Sequence, residues 1–302
     1  MSQLQLIIRN EYLTDIRAKS FWISTLVVPL ITVGFGIFAG FMMNESDSMS
    51  FVAETMNPTT PDPEEMTPMK AVGLLMGMFL TVFLMMYGAQ IFNKVKVEKC
   101  NRIVEVLATC VTGRTMMLAK IISVGLVGLT QLFLWGVIVA AIVAGIVVVF
   151  NIDIPFGFFL SADFIMAIVW SIIFFVGGYI FFGSLFAAVG AMTDKNNENQ
   201  EYVSVLTFIL LASFYIGSFT VDNGDDSFVI ICSFIPFTAP TAAAVNAITG
   251  CAPLWQTILA AIELYAFAFI SMSFAGKIYT SSLLLKGKKF SPKDILTFLR
   301  SK

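Results

Sequence analysis

Histidine is absent from the 302-residue chain, which removes the commonest general base and the commonest metal ligand at one stroke. No HExxH helix can exist without it, and no GxxxxGK[ST] phosphate loop occurs, so the chain binds no ATP through a P-loop of its own. Charged residues are scarce at 13%, about half the share of an ordinary soluble domain. The four cysteines, Cys100, Cys110, Cys232 and Cys251, follow no zinc or redox spacing. Cys100 and Cys110 fall in a segment expected in the cytosol, where thiols stay reduced. Cys232 and Cys251 share the outer side, where either a bridge or two buried thiols would fit. The cluster Asn223-Gly224-Asp225-Asp226 has no carboxylate partner within an apolar run and reads as an acidic turn. No catalytic, cofactor-binding or metal-ligating residue is therefore expected.

What the chain has in abundance is apolar length, with 58% hydrophobic residues. A helix needs about 20 apolar residues to cross a bilayer. Such runs lie at about 21–43, 71–92, 118–150, 164–192, 202–221 and 254–276, with a seventh at 228–252. The seventh carries Pro236 and Pro240, each of which removes a helical hydrogen bond, and is expected to dip and return as a re-entrant external hairpin. The first run is longer than a signal-peptide core and is expected to remain as a span.

Charge sorts sharply along this pattern. Seventeen of the eighteen Lys and Arg flank the runs on one side, with Lys70 the exception. Segments 44–69, 151–163 and 222–227 hold eleven Asp and Glu and no Lys or Arg. By the positive-inside rule both termini are cytoplasmic, so the number of spans is even. The expected fold is an all-α integral membrane protein of the plasma (inner) membrane. Residues 1–19 form an interfacial helix and 20–302 a six-helix membrane domain.

Three segments offer more than bulk. In residues 2–19, Leu4, Ile7, Ile8, Leu13 and Ile16 gather on one helical face opposite Arg9, Glu11, Asp15, Arg17 and Lys19. Such a helix lies in the interface, either as an anchor or as a mobile elbow. In the cytosolic segment 94–120, Glu98, Arg102 and Glu105 share a stripe, and Glu98 stands in the favourable order for an i, i+4 pair with Arg102. Spacing alone leaves two readings open, a solvated helix and a docking surface for a cytosolic partner. Within the spans, Gln90, Gln131 and Glu263 are candidates for a translocation path. A carboxylate at the bilayer centre costs about 2.5–3.5 kcal/mol and must face the bundle, carry a proton or find a donor. Gly36 with Gly40, and Gly73 with Gly77, space two GxxxG pairs where helices can approach closely.

The string Lys96-Val-Glu98-Lys-Cys-Asn101-Arg102-Ile-Val-Glu105-Val-Leu107 resembles the signature after the second span of type-2 ABC-transporter permeases, especially the sodium-efflux-permease branch. Lys120 and Gln131 match the opening of that family's third span, with Ala119 in place of glycine. Ile235-Pro236-Phe-Thr238-Ala-Pro240 is similar to its external element, with Ala239 in place of serine. Lys277-Ile-Tyr279 and Leu283-Leu-Leu285-Lys-Gly287-Lys-Lys289 resemble its closing segment, and Glu11 with Lys19-Ser20-Phe21 its N-terminal one. The resemblance implies six spans, an interfacial helix, and re-entrant helices before the last span. It also implies a coupling helix that docks an ATP-binding cassette subunit through Glu98, Lys99, Asn101, Arg102, Glu105 and Leu107. ATP and magnesium would be bound in that partner, and the permease would pair with a second copy or a second permease as an exporter. The acidic external loop is short for that branch, so the substrate stays open. Two other classes compete: a non-transporting membrane sensor or immunity protein on the same bundle, and an ATP-independent transporter.

Overall fold

The computed structural model describes residues 3–27, 29–30, 68–100, 112–150, 157, 160–193, 201–221 and 227–284. The chain is mostly helical over these residues, and no strand occurs among them. Helix α1 (Gln3–Arg17) is followed by helical residues 19–27, then α2 (Pro68–Cys100), α3 (Gly113–Phe150) and α4 (Ala162–Met192). After these come α5 (Glu201–Thr220), two short helices α6 (Ser227–Phe234) and α7 (Ala239–Thr249), and α8 (Leu254–Leu284). Five of them, α2, α3, α4, α5 and α8, contain stretches long and apolar enough to cross a membrane. Of the expected first span, residues 31–43 lie outside the described residues, as do Gly36 and Gly40.

Local chemistry sets the boundaries. Pro68 opens α2, where its missing N–H costs nothing. Ser161 caps α4 by accepting the Phe164 amide at 3.3 Å. The expected hairpin at 228–252 is a helix–turn–helix: α6 stops at Phe234, residues 235–238 turn, and Pro240 sits in the first turn of α7. Gly250, at φ 73°, ends α7 in the left-handed conformation that an L side chain resists. Cys232 and Cys251 are both free thiols.

Helix α4 is the hub, packed chiefly on α2 and α8. The core between them is aromatic: Phe83, Tyr87, Phe174, Phe182 and Phe186 are all but inaccessible. Phe83 meets Trp135 of α3 edge-on at 5.1 Å between ring centroids and Phe175 of α4 at 5.9 Å. Short α7 is buried along most of its length against α2, α4, α5 and α8. Ser213 of α5 donates to the Thr238 carbonyl at 2.9 Å at its start, and Asn246 donates to Ser233 of α6 at 3.2 Å near its end.

The Gly73/Gly77 pair makes the seat for α7. A Cβ on Gly73 would lie 2.6 Å from Thr249 Cγ2, and one on Gly77 would overlap Val245 Cγ2. Gly77→Ala is therefore expected to lower the thermal unfolding midpoint in detergent, by an overpacking cost of about 1–3 kcal/mol. Adding Val245→Ala should recover most of that loss, and an unchanged midpoint in Gly77→Ala would contradict the packing.

Candidate functional site

Five charged side chains from three helices meet where α1 packs beside the end of α2 and the start of α3. Lys120, near the start of α3, is 3% exposed at its side chain. Its Nζ donates to Glu11 Oε1 of α1 at 2.8 Å and to Glu98 Oε1 near the end of α2. Glu11 is shared, since its second oxygen, Oε2, accepts from Lys94 Nζ of α2 at 3.3 Å. Lys94 also donates to Asp15 of α1. The second oxygen of Glu98 accepts from the Tyr279 hydroxyl of α8 at 3.4 Å. Burying an ammonium is costly unless carboxylates surround it, and Lys120 has two.

This network ties α1 to α2 and α3, and Tyr279 extends it to α8. Burial alone would push the Glu11 carboxyl up, but Lys120 and Lys94 outweigh it and hold it below its ordinary value of 4.5. Tyr12 adds a neutral tie from α1 to Thr130 of α3 at 2.9 Å. Helix α1 is thus bound to the bundle by an inward acidic face, while Leu6, Arg9 and Arg17 stay exposed.

The residues expected to serve coupling divide here. Glu98 and Lys99 are on the last turns of α2, whereas Asn101, Arg102, Glu105 and Leu107 lie outside the described residues. Glu98 is engaged with Lys120 and Tyr279, so its carboxylate is turned into the protein.

The expected path residues are also in different situations. Gln131 is 3% exposed, accepts from the Tyr87 hydroxyl at 2.7 Å and donates to Ser24 at 3.2 Å, fastening α3 to α2 and to residues 19–27. Gln90 and Glu263 are half-buried and make no hydrogen bond or ion pair among the described residues. Pro236 lies in the turn before α7, and Pro240 packs beside Gly178 of α4.

Sequence reasoning did not connect Glu11, Asp15, Lys94 and Tyr279 with Lys120. These positions are 22 to 181 residues apart in their pairings, and nothing local joins them. The only available signal was the presence of Glu11, Lys120 and Tyr279 in separate motif fragments. Among the described residues no group of three His, Cys, Asp or Glu is placed to hold a metal ion.

Comparison with known proteins agrees with this architecture. No solved structure matches the chain. An uncharacterized protein of Bacillus subtilis, YhaP, is 27% identical over 238 residues, covering 76% of this chain and 56% of that protein. An uncharacterized protein of Methanocaldococcus jannaschii, MJ1024, is 24% identical over 205 residues, covering 68% of this chain and 48% of that protein. The chain thus spans about half the length of the curated relatives it matches. The family profile described as ABC-2 family transporter protein matches residues 52–277, well over half of the sequence. With five helices long and apolar enough to cross a membrane among the described residues, this chain is a multi-pass membrane protein that belongs to the ABC-2 transporter family.

Proposed function

We propose that this chain is the membrane subunit of an ATP-driven exporter whose ATPase is a separate polypeptide that binds ATP and magnesium. The observation that carries the reading is the charged junction of α1, α2 and α3. Glu98 stands three residues before the first undescribed residue that carries the family-like string, Asn101, and it is bonded at once to α3 and α8. A push on the segment 101–107 would reach both helices through one carboxylate, and α1 through Lys120 and Glu11. Arg102 and Glu105 then make the outward docking contact, and Glu98 transmits it inward. That is the kind of discrete, packed connection through which a nucleotide-driven closure in a partner can move helices as rigid bodies.

In this reading residues 21–43 supply a sixth span, both termini and the charged junction face the cytoplasm of a plasma membrane, and α6–α7 forms the external hairpin. Two permease chains flank the path, with Glu263 and Gln90 as its polar lining. No reaction is catalysed by this chain.

The test is gentle affinity purification of the tagged protein from its own membranes. A P-loop ATPase subunit should accompany it in near-equal amount and be lost when Arg102 and Glu105 are both charge-reversed. Glu98→Gln should keep the partner while lowering transport-coupled ATP hydrolysis. If the chain comes out alone under conditions that preserve other membrane complexes, the reading fails.

A further inference from the structure

Helix α1 carries two arginines and two carboxylates, so its side-chain charge sums to zero, yet the fold separates the two signs. Both carboxylates, Glu11 and Asp15, turn into the bundle and are held there by Lys94 and Lys120. Both arginines, Arg9 and Arg17, are exposed, and neither side chain has an ion pair or hydrogen bond among the described residues. Lys19, exposed just past the end of the helix, is in the same state. Leu6, Arg9, Leu13 and Arg17 follow one another at intervals of three and four residues and so share one face, turned away from the acidic one. Leu6 on that face is 61% exposed. Beyond Lys19 the surface changes character. Phe21 is buried and meets the Trp22 ring edge-on at 5.6 Å, while Trp22 itself stays exposed. Ile23, Leu26 and Val27 continue the exposed surface with apolar side chains only. The chain therefore presents a basic stretch, then a tryptophan, then an apolar stretch, which is the order of headgroup, interface and acyl chain in a lipid leaflet.

We propose that the outer face of α1, with Lys19, is a binding surface for anionic phospholipid headgroups. Arg9, Arg17 and Lys19 meet the phosphates, and Leu6 and Leu13 lie against the adjoining acyl chains. The inference needs the chain to be a membrane protein and is independent of the ATPase partner. Three cations with no carboxylate of their own helix beside them complement an anionic surface, and a guanidinium matches the phosphate oxygens two at a time. The long stems of Arg and Lys lie along apolar surface while their heads reach the headgroup level. An acidic face on a cytosolic protein would also satisfy the three cations. It would not account for leucines interleaved with the arginines, nor for the continuation of the same surface into Trp22 and Ile23.

The experiment uses the full chain, purified in a neutral detergent and titrated with phosphatidylglycerol or with phosphatidylcholine of the same acyl chains. Bound lipid is counted by native mass spectrometry. The wild type should hold phosphatidylglycerol at least about tenfold more tightly, since each basic residue near an anionic surface adds about fivefold. Arg9→Gln, Arg17→Gln and Lys19→Gln combined should remove most of that preference, whereas Arg9→Lys with Arg17→Lys should keep most of it. Phosphatidylglycerol should also raise the melting temperature of the wild type and not that of the triple variant. In phosphatidylcholine the two should melt alike, because the three side chains have no internal partner to lose among the described residues. Equal affinity of the wild type for both lipids would overturn the proposal, as would an undiminished preference in the triple variant. If that variant keeps its lipid preference but loses a protein that co-purifies with the wild type, the face belongs to a cytosolic partner instead. No ATPase enters the titration, so its outcome is read separately from whether one co-purifies.

Discussion

Lys120→Met is expected to be the most damaging removal of a single charge in this protein. Among the described residues the substitution leaves the Glu98 carboxylate with the Tyr279 hydroxyl alone, and it deprives Glu11 of the nearer of its two lysines. Breaking a buried pair from one side costs about 3–5 kcal/mol, because the remaining charge stays without compensation. Glu11 and Glu98 keep 19% and 24% of their side-chain surface, so water screens part of the loss and the lower end of that range is expected. The measurement is the thermal unfolding midpoint in detergent, alongside the yield of monodisperse protein. Adding Glu98→Gln to Lys120→Met should restore much of the midpoint, since the amide still accepts from Tyr279 and carries no charge. A melting temperature for Lys120→Met equal to that of the wild type would show that the ammonium is not the hub of the cluster.

The second large effect is steric and lies between α4 and α2. Gly190 sits where α4 packs directly on the backbone of α2: a Cβ there would lie 2.8 Å from the Phe92 carbonyl oxygen, 3.2 Å from Val95 Cβ and 3.3 Å from Phe92 Cα. Two of these three atoms are backbone, so no rotamer change relieves the overlap, and α2 itself has to move. Gly190→Ala is expected to cost about 1–3 kcal/mol. Gly190→Val should prevent accumulation of folded protein, as read by fluorescence-detected size exclusion. Gly136 provides the control, because a Cβ there meets nothing within 4 Å. Gly136→Ala should be neutral or stabilising by up to about 1 kcal/mol through helix propensity. If both alanine variants behave alike, the close crossing of α2 and α4 is not limiting.

The long helices were readable because hydropathy and proline position act locally. The run expected at 164–192 is found at Ala162–Met192, and that at 202–221 at Glu201–Thr220. Where helix and membrane part company the reading fell short. Helix α2 continues eight residues past Phe92 through Lys94, Lys96, Glu98 and Lys99, since charge ends a span without ending a helix. The Gly73/Gly77 spacing announced a close approach but not that α7 makes it. The i, i+4 rule pointed Glu98 at Arg102, which lies outside the described residues, whereas the fold brings Lys120 and Tyr279 to that carboxylate. Gln131, expected on a path by its polarity, is hydrogen-bonded to Tyr87 and Ser24, partners that its sequence neighbourhood did not announce. In each case the missing information was tertiary: pairing partners 22 to 181 residues away leave no periodicity in the sequence.

The length of α3 has a bearing on the lipid. At 38 residues the helix is about 57 Å long, and its uncharged, mostly apolar part from Ile121 to Phe150 is about 45 Å. A hydrocarbon layer of about 30 Å leaves some 15 Å of that apolar surface to be accommodated by tilt, by local thickening of the bilayer, or by cover from other parts of the assembly. Lys120 and Gln131 pin the basic half of α3 to α1, α2 and residues 19–27, so the adjustment falls on its other half. Acyl-chain length thereby becomes a mechanical variable for this protein: longer lipids relieve the hydrophobic mismatch that shorter ones impose on a single helix.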